Sequence, residues 1–314
     1  MRKREVIIIL LNYNNPGDTI ECIESLNKIT YKNLRIILID NHSIDNSNKI
    51  FRETFPYIND NPPDYLPPIN HYVTEENLGY CGGTNYGIRK ALEFKPDYIM
   101  LLNNDTIVEP DFLEKMVDEM EIKEAAAACC LIIAEHDRKT IWYGGGKLVH
   151  WRGLAVHFYE GKSRETLSDL ESKYVDFITG CVMLFHTKIL EKTGLQDEKF
   201  FMFLDDIELS SRITRMGYKL LYIPSAVIYH KVLGRKENPL KLYYAVRNRL
   251  LLINKMDKGL INIIAKFYFL IAISIKLVYW KLLNPSFYYI AKAGMKDYFR
   301  KRFYQGRGVE VINY

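Results

Sequence analysis

Three runs of apolar, β-branched residues each end in asparagine or aspartate: EVIIILL (5–11) into NYNN, LRIILID (34–40) into NHS, and DYIMLLNND (97–105). Continuous apolar runs of this length suit central strands covered on both faces. DTIECIESLNKI (18–29) follows the first run at helical spacing, with Asp18 placed to cap, and a short helix to about Phe55 follows the second. This strand–helix–strand alternation predicts an α/β fold with a parallel, nucleotide-binding type of sheet. Ligands of such sheets bind outside the carboxyl ends of the strands. The polar residues that matter are therefore Asn12, Tyr13 and Asn14, then Asp40 and Asn41, then Asn103, Asn104 and Asp105, which one sheet edge gathers into one site.

Five prolines in 56–70 predict an irregular loop, HYVTEEN a third strand, and GGTNYGIRKALEF a loop running into a helix. ENLGYCGGTNYG (76–87) carries Asn77, Gly79, Gly82, Gly83 and Asn85. Its glycines would let backbone approach a ligand closely before a helix N-terminus that favours anions; a plain loop cluster fits the same residues. Further on, EPDFLEKMVDEM reads as an amphipathic helix and AAAACCLII as a strand. IWYGGGKLVHWRG reads as a hairpin around its three glycines, and KLLYIPSAVIYH as a last strand pair.

At 314 residues and 48% hydrophobic, the chain can bury a sizeable core. Its five cysteines (Cys22, Cys81, Cys129, Cys130, Cys181) are odd in number and include no C-x-x-C, which favours reduced thiols in a cytosol. The apolar run near the N-terminus is too short for a signal peptide. Neither G-x-G-x-x-G in the first loop nor G-x-x-x-x-G-K-[ST] anywhere is present, which excludes a Rossmann dehydrogenase and a P-loop enzyme by motif.

Charge divides the chain. From Lys231 onward 17 Lys and Arg stand against 4 Asp and Glu, a balance of +13; the remainder carries 26 against 34, a balance of −8. The basic part is also aromatic and apolar, which selects an anionic membrane surface over nucleic acid. GLINIIAKFYFLIAISIKLVYWKLL (259–283) is interrupted by Lys266 and Lys276, so an interfacial segment suits it better than a span, and a buried C-terminal helix is the alternative.

In order, LLNYNN, LIDNHSIDNS, EENLGYCGGTNYGI, LLNNDT, FFMFLDDIELSSRITRMGY and PSAVIYH closely resemble family 2 glycosyltransferases, especially their rhamnosyltransferase-like branch, over about residues 5–250. The resemblance implies the GT-A fold: a Rossmann-like mixed sheet flanked by helices, here followed by a basic helical C-terminal region. It implies a catalytic domain over 1–232, with a nucleotide-sugar half (1–105) and an acceptor half (106–232), and a C-terminal region over 233–314. The implied reaction is inverting transfer from a UDP- or dTDP-sugar to a hydroxyl of a glycan or polyprenyl-linked acceptor. Asp40 would recognise the base, with Asn12 and Asn14 lining the nucleotide pocket.

The family's D-x-D motif falls on Asn103, Asn104 and Asp105, leaving one strong ligand for Mg²⁺ or Mn²⁺, with His230 as a second ligand. Such hard ions take few protein carboxylates where substrate phosphates complete the shell. Asp206, second of the pair Asp205–Asp206, would be the general base; the same pair with Glu208 also fits plain N-terminal helix charge. Gly180, Phe203 and Glu208 would face the acceptor, and Arg247 in YYAVRNR a phosphate, unless Arg247 is a solvated helix charge. The sequence is compatible with a homo-oligomer and with a peripheral place at the inner face of the cell membrane. Two other classes compete: a sugar-1-phosphate nucleotidyltransferase, opposed by a first loop without the glycines and cations that hold a triphosphate, and a non-catalytic nucleotide-sugar or glycan-binding module.

Overall fold

The computed structural model describes residues 4–167, 170–232 and 238–306. The apolar runs form β1 (Val6–Asn12), β2 (Leu34–Asp40), β3 (Ile69–Val73) and β4 (Tyr98–Asn103), parallel in the order β4-β1-β2-β3 and joined by α1 (Pro16–Leu26), α2 (Ser47–Thr54) and α3 (Gly79–Leu92). Ile7 to Leu10 and Ile36 to Ile39 have essentially no exposed surface, so these strands are apolar on both faces because both are covered. Register aligns Asn12 with Asp40 and Leu11 with Asn103, which sets the three polar strand ends side by side.

The second half comprises β5 (Thr106–Val108), α4 (Phe112–Ile122), β6 (Ala127–Ala134), β7 (Ile141–Tyr143), β8 (Gly146–Val149), β9 (Leu154–His157), β10 (Lys173–Val175), β11 (Val182–His186), α5 (Thr187–Thr193), α6 (Asp205–Arg215) and β12 (Leu220–His230). β11 inserts antiparallel between β4 and β6, and the sheet continues through β12 to β10, so the whole is mixed. β5 returns antiparallel against the end of β12 and pairs Thr106 with His230. That pairing carries His230 to the turn between β4 and β5 that bears Asp105.

Four expectations are corrected. KLLYIPSAVIYH is one strand, not a pair, with a register shift between Ile223 and Val227 around Pro224, which has no N–H to give a neighbouring strand. The hairpin is β8–β9, turning over residues 150–153, while the three glycines lead from β7 into β8. α3 begins at Gly79, so the glycine cluster is helix rather than loop. α1 starts from Asn15 with Pro16 pre-set for the first turn, and Asp18 lies inside the helix, accepting from the Asn15 amide at 2.6 Å.

The C-terminal region forms α7 (Pro239–Met256), α8 (Leu260–Leu283) and α9 (Pro285–Phe299); the expected boundary near residue 233 lies outside the described residues. α7 is no appended tail: Leu251, Leu252 and Met256 join the main core, and Tyr243, Tyr244 and Val246 build a second core with α8 and α9. By packing, α7 is thus continuous with the main body.

Candidate active site

The donor side forms where β1 and β2 end. Asp40 is buried, and its Oδ1 accepts the Ser43 N–H at 3.0 Å. The Ser43 hydroxyl in turn accepts from Asn12 Nδ2 (3.1 Å) and the Asn14 N–H (2.9 Å). Asn14 sits in the left-handed region at φ 53°, tolerable for asparagine, and its Oδ1 accepts the Ile44 N–H at 2.8 Å. Asn12 is fully buried and accepts from Thr19, which also receives the amide of half-buried Asn104, so both side chains help fix the loop. Tyr13 stands exposed beside this loop. Ser43, the hub of the arrangement, had no sequence signal beyond its place after a strand.

The second polar set turns inward. Asn41 is buried, donates to Asn77 Oδ1 (3.0 Å) and the Gly79 carbonyl (3.1 Å), and accepts from Leu78 N (3.0 Å). Asn77 also accepts the Gly79 N–H at 2.9 Å. A Cβ on Gly83 would lie 2.5 Å from Leu11 and 3.3 Å from Asn41, one on Gly82 2.7 Å from Leu78, and one on Gly79 2.5 Å from the Phe201 ring. Gly83 lets α3 approach the sheet, Gly79 lets it approach Phe201, and Gly82 leaves room for Leu78. Asn85 is likewise spent inside the protein, on Gln196 and on Glu198 at 2.9 Å.

At the tip of β4 two ligand-type atoms face each other. Asp105 Oδ1 lies 3.2 Å from His230 Nε2, and Oδ1 is buried without a hydrogen-bond donor; His230 Nδ1 is also buried and unpaired. An octahedral ion with bonds of about 2.0–2.1 Å holds neighbouring ligands roughly 3 Å apart, so the spacing fits a shared cation. Among the described residues no group of three or more His, Cys, Asp or Glu could hold a metal ion. Asn103 keeps its side chain partly exposed and anchors the tip through its N–H on the Cys181 carbonyl, 2.9 Å.

One residue before Cys181, the Gly180 N–H donates to Asp206 Oδ2 at 3.0 Å, and the Ile207 N–H donates to Oδ1 at 2.9 Å. Gly180 thus sets Asp206 in place, and its own carbonyl accepts the Tyr80 hydroxyl at 2.7 Å. Asp205 points deeper and accepts from Gln196 Nε2 at 2.8 Å. Burial, reinforced by the Asp206 charge, pushes Asp205 up to about 8. Burial also raises Asp206, while the Gly180 and Ile207 N–H groups and then His157 oppose the rise. The two backbone donors thus favour the charged form of Asp206, while burial favours the proton on Asp205.

Trp142 joins the two centres. Its ring meets His230 edge-on at 4.8 Å and His157 at 5.1 Å, and its carbonyl bonds His157 Nδ1 at 3.1 Å. Sequence reasoning missed Trp142, His157 and Gln196; the only signal was an aromatic before three glycines. Two expected site residues lie elsewhere. Glu208 is buried and pairs with Arg212 at 2.8 Å, so it does not face an acceptor. Arg247 is fully buried, and its guanidinium is consumed by backbone carbonyls rather than a phosphate. Phe203 does lie in the partly exposed loop leading to Asp205.

Among curated proteins, the chain is similar to N-acetylglucosaminyl-diphospho-decaprenol L-rhamnosyltransferase of Mycobacterium tuberculosis, at 22% identity over 251 residues, 74% of this chain and 78% of that protein. Among solved structures it resembles the mannosyltransferase PcManGT from Pyrobaculum calidifontis in complex with GDP-Man and Mn²⁺, with a TM-score of 0.59 and 16% identity over 96% of this chain and 76% of that one. It also resembles GalNAc-T7 with UDP, GalNAc and Mn²⁺ (TM-score 0.61, 16% identity, 80% of this chain), spanning only 48% of that structure. These neighbours fix the fold as GT-A. Residues 7–194, which run from β1 through α5 and carry the edge with Asp40 and Asp105, match the model of Glycosyl transferase family 2, and the chain belongs to that family.

Proposed function

We infer that the protein is an inverting, divalent-metal-dependent transferase that moves a sugar from a UDP- or dTDP-sugar to a hydroxyl of a glycan or polyprenyl-linked acceptor in cell-surface polysaccharide synthesis. The observation that carries this reading is the backbone link between two centres: Asn103 N–H on Cys181 O beside Gly180 N–H on Asp206. A cation and diphosphate at Asp105 and His230 would be tied through this link to the segment that fixes the Asp206 carboxylate.

In this reading Asp40 accepts the N3–H of the base beside the exposed ring of Tyr13. Asp105 and His230 hold Mg²⁺ or Mn²⁺, which when bound supplies positive charge to the departing diphosphate. Asp206, ionised and fixed by its two N–H donors, takes the proton of the acceptor hydroxyl. The acceptor oxygen then bonds to the anomeric carbon from the face opposite the diphosphate, and the carbon–phosphate-oxygen bond breaks, inverting the centre. Gly180 keeps the approach to Asp206 open, since a side chain there would contact the carboxylate. The relatives' decaprenol-linked substrate supports a lipid-linked acceptor, and the exposed apolar helix α8 supports a cytoplasmic enzyme peripheral to the inner face of the membrane.

The test is a donor panel of UDP- and dTDP-sugars with and without Mn²⁺, reading nucleoside diphosphate release. Metal-dependent release from one donor is expected. Pyrophosphate as product would instead revive the nucleotidyltransferase, and calorimetric binding with no turnover across the panel would favour a non-catalytic module.

A further inference from the structure

The segment entering the acidic pair is held in an unusual backbone conformation without a glycine. Phe201 (φ 62°, ψ −56°), Phe203 (φ 65°) and Leu204 (φ 68°) all have positive φ, the half of backbone space that favours glycine. Bulky residues sit there only when the surroundings over-determine the conformation, and such strain clusters where a site must be pre-organised. Leu204 is the residue that opens α6, whose first two residues are Asp205 and Asp206.

The over-determination comes from α7. The Asn248 amide donates to the carbonyls of Phe200 (2.9 Å), Met202 (2.8 Å) and Phe203 (3.0 Å). Arg247 Nη2 donates to the carbonyls of Lys199 (3.1 Å) and Phe200 (2.8 Å), and Nη1 to that of Tyr304 (2.6 Å). Arg247 Nε donates to Asn248 Oδ1 at 2.9 Å, which fixes the amide with its NH₂ toward the loop. Both side chains are fully buried. From the other side, the Phe201 carbonyl accepts the Cys81 N–H of α3 at 3.0 Å, and its ring stacks on Tyr244 at 5.4 Å. All but one of the carbonyls these two side chains hold belong to residues 199–203. A pair that merely pinned α7 to the body would have no reason to spend its donors on one strained loop.

We propose that Arg247 and Asn248 are a positioning pair that holds residues 199–204 in the strained conformation from which α6 presents Asp206 to the acceptor. The link to catalysis rests on Asp206 as the base; the link to the loop does not.

The full chain is tested as Asn248→Ala and as Arg247→Lys, which keeps charge but loses the planar fork. Hydrogen exchange at the amides of 199–207 is expected to rise about tenfold in Asn248→Ala, with the β1–β4 edge unchanged. Calorimetric affinity for UDP or dTDP with Mn²⁺ should stay within threefold. With the donor that turns over in the panel, kcat should fall about 100-fold in Asn248→Ala and about 10-fold in Arg247→Lys. The acid limb of kcat should move to higher pH, because a loosened start of α6 carries Asp206 away from the Gly180 N–H that favours its charge.

Unchanged exchange at 199–207 overturns the proposal, as does loss of nucleotide affinity in step with kcat. If Asn248→Ala does not fold, Arg247→Lys decides by the same readings. Normal transfer by Asp206→Asn would sink the base assignment alone, leaving the exchange result to judge the loop.

Discussion

Two adjacent carboxylates are useful here because their surroundings differ. Asp205 lies against Gln196 in the interior, and Asp206 lies under two backbone donors at the mouth. Asp206→Asn keeps the shape but turns an NH₂ toward one of the two N–H donors and removes the basic oxygen. Transfer should fall by about 10²–10⁴ while UDP–Mn²⁺ affinity holds, measured by calorimetry beside turnover. Because burial raises Asp206, activity should decline on acidification at a pH above the ordinary carboxylate value near 4. Asp205 gives a stability test with a defined sign. Its folded value, about 8, exceeds its unfolded value, so the protonated form's contribution is complete below pH 4 and is lost as pH rises toward 8. Asp205→Asn removes that loss. Its melting temperature should match the native chain's near pH 4 and exceed it by a few degrees at pH 8, read by calorimetric melts; a constant difference across that window would mean Asp205 is ionised throughout. Much of this was legible as residue type and order, since Asp40, Asp105, Asp206 and His230 all fall where strands end or a helix begins. What was not legible is which polar atoms face outward. Asn12, Asn41 and Arg247 read as ligand contacts and are consumed by the protein, because hydrogen-bond partners such as Ser43 and the 199–203 carbonyls are set by tertiary placement.

At the scale of elements, α3 packs against the sheet through glycines that leave no space for a Cβ. A Cβ at Gly87 would stand 2.6 Å from Ile9 Cγ2 in the buried centre of β1, where the side chain has little freedom to move. Gly87→Ala should therefore destabilise by about 1–3 kcal/mol, whereas Gly17→Ala in α1, with nothing within 4 Å, should stabilise by about 0.5–1 kcal/mol. Urea titrations of both variants check the contrast, and a Gly87→Ala chain as stable as the parent would mean α3 can retreat from β1. The parallel strands were readable because burial on both faces forces continuous apolar runs. β12 was misread as two strands because Pro224 looks like a break, although the strand absorbs it in a register shift. The glycines of 144–146 looked like a turn because composition does not show that the chain passes from β7 into β8 there, under the rings of Tyr159, Tyr222 and Phe177.

For the molecule as a whole, the decisive feature is how α8 is attached. Asn262, Ala265, Phe269, Ile273 and Trp280 form a buried stripe at helical spacing along the helix, and Tyr268 meets Trp151 of the 150–152 turn at 5.0 Å. The helix is long and apolar enough to cross a bilayer, and this stripe fastens one side of it to the body. Its other side exposes Ile263, Phe267, Ile271, Ile275, Val278 and Leu282, an apolar face flanked by lysines in the part of the chain with a balance of +13. Such a face suits the headgroup boundary, with the lysine stems reaching back to anionic phosphates. The full chain should cosediment with phosphatidylserine-containing vesicles, less with pure phosphatidylcholine, and less again at high salt. Ile271→Asp with Ile275→Asp, both on the exposed face, should reduce vesicle binding by an order of magnitude while leaving turnover on a water-soluble acceptor unchanged. Equal binding by the double variant would remove α8 from the membrane. Loss of soluble turnover along with binding would show instead that this face is covered by protein in the working enzyme.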